Sequence, residues 1–190
     1  MARYLIVADI HSNLVAFDAV LKDADVTGGF DRMWVLGDIV GYGPEPAECI
    51  ARVIAYPHVC IAGNHDLAVS GAIDLAAFNA EAARACLWTR CRLGVQAMGF
   101  LRKLPTEAVE PPFLLVHGSP RDPLWEYLTS AGQAARALNL VRVSTHCMVG
   151  HTHQPAVYRL NNEEKRVSTQ RVHDGMVVHL DNERLLLNPG

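Results

Sequence analysis

The residues Trp34–Gly41 read W-V-L-G-D-I-V-G and give the clearest indication of the fold. A short apolar run, typical of a buried strand, ends at Gly37, and the carboxylate of Asp38 follows. A carboxylate directly after a strand lies at the C-terminal edge of a sheet, where open α/β sheets keep their ligands. The segment therefore predicts an α/β fold with Asp38 at its functional edge.

The size and composition of the chain are those of a globular domain. It has 190 residues, 50% hydrophobic and 19% charged, so we expect one domain over residues 1–190. The net charge of −3 does not indicate a nucleic-acid or membrane partner. No uncharged apolar run reaches the roughly 20 residues of a membrane-spanning helix. The N-terminus meets a charge too early for a signal peptide, so a cytoplasmic location is expected.

The five cysteines are Cys49, Cys60, Cys86, Cys91 and Cys147. Their number is odd, and they include no C-x-x-C pair. Because they lie in apolar surroundings, we expect buried, reduced thiols rather than disulfides or a metal site.

Short apolar runs recur through the first part of the chain and predict strands at Tyr4–Ala8, Arg32–Leu36, His58–Ala62, Phe113–Val116 and Cys147–Val149. Helical spacing between them predicts helices over Leu14 to about Ala24, about Ala47 to Ala55, Leu67–Leu104 and Gln133–Leu140. Ser12 and Asn13 are good N-caps for the first helix. Gly94 and Gly99 are expected to break the third, and Pro105–Pro112 is expected to be a connector.

Near the C-terminus the period changes to two, which predicts a β-meander. Its strands are predicted at Val157–Leu160, Val167–Val172, Met176–Leu180 and Leu185–Leu187. Its turns are predicted at Asn161-Asn162, Asp174-Gly175 and Asp181-Asn182.

Side chains that bind metals follow each of the five early strands. They are Asp9, His11, Asp38, Asn64, His65, His117, His151 and His153. Each alone has an ordinary explanation, such as a helix cap or a turn. Parallel strands of one sheet would bring all these loops to one edge, and this recurrence indicates a shared site. If His151 and His153 lie on an extended segment, their side chains point to the same face.

The chemistry of these donors indicates the kind of ion. A set dominated by imidazole, with one amide and two carboxylates, suits Mn, Fe, Zn, Ni or Co better than Mg²⁺ or Ca²⁺. The set is too large for one ion and suits two ions that share a ligand. Two divalent ions carry more charge than Asp9, Asp38 and a bridging hydroxide together, so the site would remain positive and attract a phosphate group.

Five motifs, in this order, resemble those of the calcineurin-like metallophosphoesterase superfamily. They are Asp9-x-His11, Gly37-Asp38-x-x-Gly41, Gly63-Asn64-His65-Asp66, the His117 of V-H-G-S, and Gly150-His151-x-His153. They span most of the chain, and its short length is closest to the small prokaryotic phosphodiesterases. The resemblance implies a four-layer α/β/β/α sandwich of two mixed sheets flanked by helices.

The resemblance also implies a role for each residue of the site. One metal would be held by Asp9, His11 and His153, the other by Asn64, His117 and His151, with Asp38 bridging them. His65 would donate a proton to the leaving oxygen or stabilise charge on the phosphoryl group, and Asp66 would orient its ring. The implied cofactors are two divalent transition-metal ions, with Mn favoured over Fe, Zn, Ni and Co.

The activity implied is hydrolysis of a small phosphodiester, or of a phosphomonoester, by a hydroxide that bridges the two metals. A phosphoprotein phosphatase is one alternative. Another is a catalytically silent scaffold that binds proteins, which is disfavoured because no site residue is missing. A homo-oligomer is compatible with the sequence.

Two further residues and the end of the chain leave alternatives open. Tyr42 could contact a substrate or simply pack its own loop. Arg121 could reach a phosphate oxygen or form a salt bridge with Asp122 in the same turn. Family chains often continue past N-P-G with a serine-containing turn and further strands. Here the sequence stops at Asn188-Pro189-Gly190, so it is either truncated or its second sheet ends early.

Overall fold

The computed structural model describes residues 2–161, 166–180 and 183–190. Its first sheet contains three parallel strands in the order β1-β2-β3. These strands are β1 (Tyr4–Val7), β2 (Arg32–Val35) and β3 (His58–Cys60), joined by helices α1 (Leu14–Val26) and α2 (Pro46–Ile54). The predicted Asn13 cap is confirmed, because its side-chain oxygen accepts a hydrogen bond from the Ala16 amide at 3.0 Å.

Helices follow the first sheet. They are α3 (Asn64–Ser70), a 3₁₀ turn (Leu75–Ala77), α4 (Ala80–Arg92) and α5 (Val95–Leu101). In the part of the chain that the structure describes, no helix combines the length and apolar character needed to cross a membrane.

The second sheet has six strands in the order β4-β5-β6-β9-β7-β8. They are β4 (Glu107–Glu110), β5 (Phe113–Val116), β6 (His146–Met148), β7 (Ala156–Asn161), β8 (Arg166–Gln170) and β9 (Arg184–Asn188). β5, β6 and β9 are parallel, and the other pairs are antiparallel. Helix α6 (Ala131–Leu140) joins β5 to β6 and packs against this sheet.

The two sheets face each other across a buried apolar layer. It is formed by Trp34, Leu36, Ile61, Phe113, Leu115 and Met148. Along β2, Met33 and Val35 point instead to the core shared with the helices, so this run is buried on both sides. The predicted four-layer sandwich is confirmed, although the first sheet is parallel throughout rather than mixed.

Several predicted elements differ from those observed. The connector Pro105–Pro112 contains strand β4, which pairs with β5. Gly99 lies inside α5, so the helix breaks at Gly94 but not there. Met176–Leu180 forms no strand. Of the predicted turns, Asp174-Gly175 is observed, Asn161 ends β7, and positions 162, 181 and 182 lie outside the described residues.

The thiols largely follow the prediction. Four cysteines are buried, but Cys91, near the end of α4, is exposed. All five are free thiols.

Candidate active site

The loops after β1, β2, β3, β5 and β6 meet where the C-terminal edges of the two sheets come together. Backbone hydrogen bonds join them: the Asp9 amide donates to the Gly37 carbonyl at 3.1 Å, and the Gly150 amide donates to the His117 carbonyl at 2.8 Å. The edge of one continuous sheet was expected. Instead, each sheet contributes part of the site, because the sandwich brings the two edges together.

The candidate residues form three overlapping groups, in each of which the ligand atoms lie within 4.8 Å of one another. The groups are Asp9-His11-His153, His11-Asp38-His65 and Asp38-His117-His151. The eighth residue, Asn64, places its amide oxygen 3.2 Å from Nε2 of His117. The structure therefore brings together all eight predicted residues, and their histidine and aspartate clusters suit divalent metal ions.

Asp38 lies between the two ends of this constellation. Its Oδ2 atom is 3.6 Å from Nε2 of His11 and 3.4 Å from Nε2 of His117. Its Oδ1 atom accepts a hydrogen bond from the backbone amide of His65 at 2.9 Å. The side chain is buried, so one carboxylate faces both groups of imidazoles.

The imidazoles are oriented by backbone carbonyls behind them. Nδ1 of His11 lies 3.1 Å from the Val40 carbonyl, and Nδ1 of His117 lies 2.8 Å from the Leu36 carbonyl. A carbonyl oxygen can only accept, so each Nδ1 carries the proton and, in a neutral ring, Nε2 presents a lone pair to the site.

Pairs of ring nitrogens face each other at the centre. Nε2 of His11 is 3.1 Å from Nε2 of His153, and Nε2 of His117 is 3.1 Å from Nδ1 of His151. Two lone pairs this close need a proton or a metal ion to share. Nε2 of His151 is also buried without a hydrogen-bond partner among the described residues. This donor set therefore fits cations.

Burial and charge act strongly on the acids and bases of the site. Burial, together with the nearby Asp38 carboxylate, raises the pKa of Asp9 and of Asp66 to about 7. Burial lowers the pKa of His11 to about 4. Burial also disfavours charge on His117, but the Asp38 carboxylate outweighs it and raises the pKa of His117 to about 9. Buried carboxylates crowded in this way are compensated by cations.

The backbone of the site is unusual. Among residues 2–161, 166–180 and 183–190, seven non-glycine residues have positive φ angles, and all lie in the loops of the site: Asp9, His11, Ser12, Asp38, Tyr42, His151 and His153. With φ values of 67° and 53°, His151 and His153 lie on a turn, so the prediction of an extended H-x-H segment was wrong. The turn directs His151 toward His117 and His153 toward Asp9.

The predicted contact between Asp66 and the ring of His65 is also wrong. The oxygens of Asp66 accept hydrogen bonds from the backbone amides of Val40 at 3.2 Å and Gly63 at 3.0 Å. Asp66 lies in the first turn of α3 and reaches back to the residue that caps it. Nδ1 of His65 instead lies 3.5 Å from Sγ of Cys86.

An aromatic rim lines the site, and of its members only Tyr42 was predicted from the sequence. The ring of Tyr42 lies 4.8 Å from that of His11 and 4.6 Å from that of His65. The ring of Tyr127 stacks on His151 with centroids 4.0 Å apart and planes at 30°. The pattern W-E-Y at 125–127, shortly after the His117 loop, was the available signal for Tyr127. Arg121 pairs with Glu126 at 3.1 Å rather than with Asp122.

Known proteins are similar to this chain in sequence and fold. The calcineurin-like phosphoesterase model matches residues 2–164. An uncharacterized protein of Methanocaldococcus jannaschii is 34% identical over 190 residues, which cover 97% of this chain and 74% of that protein. A metallophosphoesterase from Sphaerobacter thermophilus is 39% identical and has a TM-score of 0.86, over 100% of this chain and 76% of that one. A symmetrical bis(5'-nucleosyl)-tetraphosphatase of Pseudomonas putida is 36% identical over 69 residues, or 35% of this chain and 24% of that protein. The site and these matches lead to one conclusion: the chain belongs to the calcineurin-like phosphoesterase family.

Proposed function

We propose that this protein is a phosphodiesterase that uses two divalent transition-metal ions, preferably Mn²⁺. The observation that carries the proposal is the position of Asp38, whose Oδ2 atom lies within 3.6 Å of a histidine from each end of the site. A carboxylate in that position can be shared by two ions. The family is one of phosphoesterases, and a small phosphoester is the substrate we infer.

The ligands divide into two sets around Asp38. We infer that one ion is held by Asp9, His11 and His153, and the other by Asn64, His117 and His151. The carboxylate of Asp9 accepts a hydrogen bond from the backbone amide of His151 at 2.9 Å. This bond fixes the carboxylate beside His153. When bound, such ions would acidify a water molecule to near neutrality and neutralise charge on the phosphoryl oxygens.

His65 is the residue we assign to the leaving group. Its backbone amide is tied to Asp38, and its ring packs between His11, Tyr42 and Phe78 at centroid distances of 4.6–5.1 Å. These contacts fix the ring beside the metal ligands, where it can give a proton to the leaving oxygen or stabilise the phosphoryl charge. Asp66 supports this arrangement through the backbone of Gly63 rather than through the ring.

A second candidate substrate is a dinucleoside polyphosphate, in which a phosphoanhydride bond would be cleaved. The observation that favours it is the similarity to the Pseudomonas putida tetraphosphatase. The two candidates share the same ligands and differ in the group that leaves. A panel of phosphodiesters, phosphomonoesters and dinucleoside polyphosphates, assayed with added Mn²⁺, distinguishes them.

The bridging role of Asp38 is tested by Asp38→Asn, which keeps the shape of the side chain and removes its charge. We expect at least a hundredfold loss of Mn²⁺-dependent hydrolysis of bis(p-nitrophenyl) phosphate, together with loss of bound metal by elemental analysis. The matched control is Asp18→Asn, which removes an exposed carboxylate that pairs with Arg52 on the surface at 2.7 Å. Full activity of Asp38→Asn would contradict a shared ligand.

A further inference from the structure

Two tyrosine rings stand at the mouth of the site and remain largely open to solvent. Tyr42 is 50% exposed and Tyr127 is 58% exposed, although both contact candidate metal ligands. Tyr127 lies over His151, and Tyr42 lies against His11 and His65. The rings therefore approach the two ends of the site from different loops.

Packed rings connect the two loops that carry these tyrosines. Tyr42 contacts His65, and Phe78 contacts both His65 and Trp125, at centroid distances of 4.6–5.1 Å. One face of the Tyr127 ring rests on His151 at 4.0 Å. With over half of the residue exposed, the rest of the ring is available to a ligand at the site.

The loop that carries Tyr127 is held firmly. The Tyr127 carbonyl accepts a hydrogen bond from Nε2 of Gln133 at 2.9 Å. Earlier in the same loop, Oδ1 of Asp122 accepts hydrogen bonds from the backbone amides of Leu124 and Trp125, at 3.2 and 3.1 Å. The Trp125 ring packs on Phe78 with centroids 5.0 Å apart. A ring fixed in this way can bind a ligand at little cost in conformational entropy.

Packing alone does not account for these positions. Tyr42 adopts a φ angle of 58°, a left-handed conformation that costs a bulky side chain free energy, yet half of the residue stays exposed. An aromatic side chain that served only the core would bury its ring. The backbone strain and the exposure of Tyr42, beside the candidate metal ligands, together indicate a binding role.

We propose that Tyr127, with Tyr42 opposite, forms an aromatic platform for the base of a small nucleotide whose phosphate is held at the site. The inference rests on the proposed function and names its substrate class, a nucleoside phosphoester. Stacking on an aromatic face accepts every base, so the platform selects nucleotides over other phosphoesters without selecting one base. A single-stranded nucleic acid is disfavoured by the net charge of −3.

The test compares two probes that differ only in the base, AMP and ribose 5-phosphate. Their dissociation constants are measured by titration calorimetry on the full chain with saturating Mn²⁺. We expect AMP to bind at least tenfold more tightly, a ratio within the range that one stacking contact provides. The ratio of the two constants is the readout, because any common effect on phosphate binding cancels from it.

Three variants make this test specific. Tyr127→Leu removes the aromatic face and should bring the ratio to within about twofold of unity. Tyr127→Phe keeps the ring and should restore most of the preference. Tyr4→Leu removes an exposed aromatic ring at the first residue of β1, the end of that strand away from the site, and should leave the ratio at the wild-type value.

The inference is overturned if the wild type binds both probes equally, binds neither, or keeps its preference for AMP in Tyr127→Leu. These outcomes are separate from a failure of the proposed function, which would appear as a wild type that hydrolyses no phosphoester with Mn²⁺. Preference for AMP without hydrolysis would support the platform and reject the enzyme.

Discussion

At the scale of single residues, we propose that His65 acts beside the metal ligands and is not one of them. His65→Ala should keep both metal ions by elemental analysis and lose roughly a hundredfold or more in rate, because it removes a proton donor and no ligand. His58→Ala is the matched control, since His58 begins β3 at the end away from the site. His65 also belongs to a group with His11 and Asp38 that could hold an ion. Loss of one ion per chain in His65→Ala would make it a ligand.

The sequence was most informative about which residues belong to the site and less so about how they are held. Asp9 and Asp38 could be found because each directly follows an apolar strand. The partner of Asp66 could not, because it binds the Val40 amide across 26 positions of sequence, a contact that exists only after folding. Tyr127 was missed because it follows its strand by eleven positions, after a folded-back turn.

At the level of elements, the close approach of the ends of β2 and β3 depends on Gly63. A Cβ atom there would overlap the carboxylate of Asp38. Gly63→Ala should therefore displace Asp38, weaken metal binding and lower the melting temperature, as measured by calorimetry and elemental analysis.

Its control is Gly99→Ala inside α5, where an added Cβ atom meets nothing within 4 Å. That variant should bind metal normally and gain roughly 0.5–1 kcal/mol of stability, because alanine has the higher helix propensity. Normal metal binding in Gly63→Ala would show that β2 and β3 can separate without disturbing the site.

Helices and strands with a clear hydrophobic period could be predicted from the sequence. Strands whose formation depends on pairing with a neighbouring strand could not. Strand β4 has the polar sequence E-A-V-E, which is also typical of a connecting loop. Antiparallel pairing with β5 makes it an edge strand. Met176–Leu180 has the apolar content of a strand but forms none. In both cases the outcome depends on a neighbour that local sequence does not specify.

In the whole molecule, metal binding should join the two halves of the sandwich. Asp9, His11, Asp38 and Asn64 follow strands of the first sheet, and His117, His151 and His153 follow strands of the second. An ion that takes ligands from both sheets can bind only to the folded chain, because the ligands are brought together only there. At a hundred times the dissociation constant it adds about 2.7 kcal/mol, which corresponds to a rise of roughly 5–10 °C in melting temperature for a chain of this size.

Differential scanning calorimetry with Mn²⁺ or with EDTA measures this rise, and Asp38→Asn should abolish it. An equal melting temperature in both conditions would show that the folded site does not bind the ion tightly.

The division into two sheets was available only through resemblance to a known family. Strand patterns alone suggested one continuous edge. The partition arises because β5 pairs with β4 and β6, whereas β1, β2 and β3 pair with one another. Such long-range pairings are decided by tertiary packing, not by the local sequence.

The seven left-handed residues have a consequence for how the site meets a ligand. Such backbone angles cost free energy for every residue except glycine, and asparagine and aspartate tolerate them best. His11, Ser12, Tyr42, His151 and His153 carry this cost in the folded chain. The cost is therefore met when the chain folds and not when a ligand binds, so the loops of the site are preorganised.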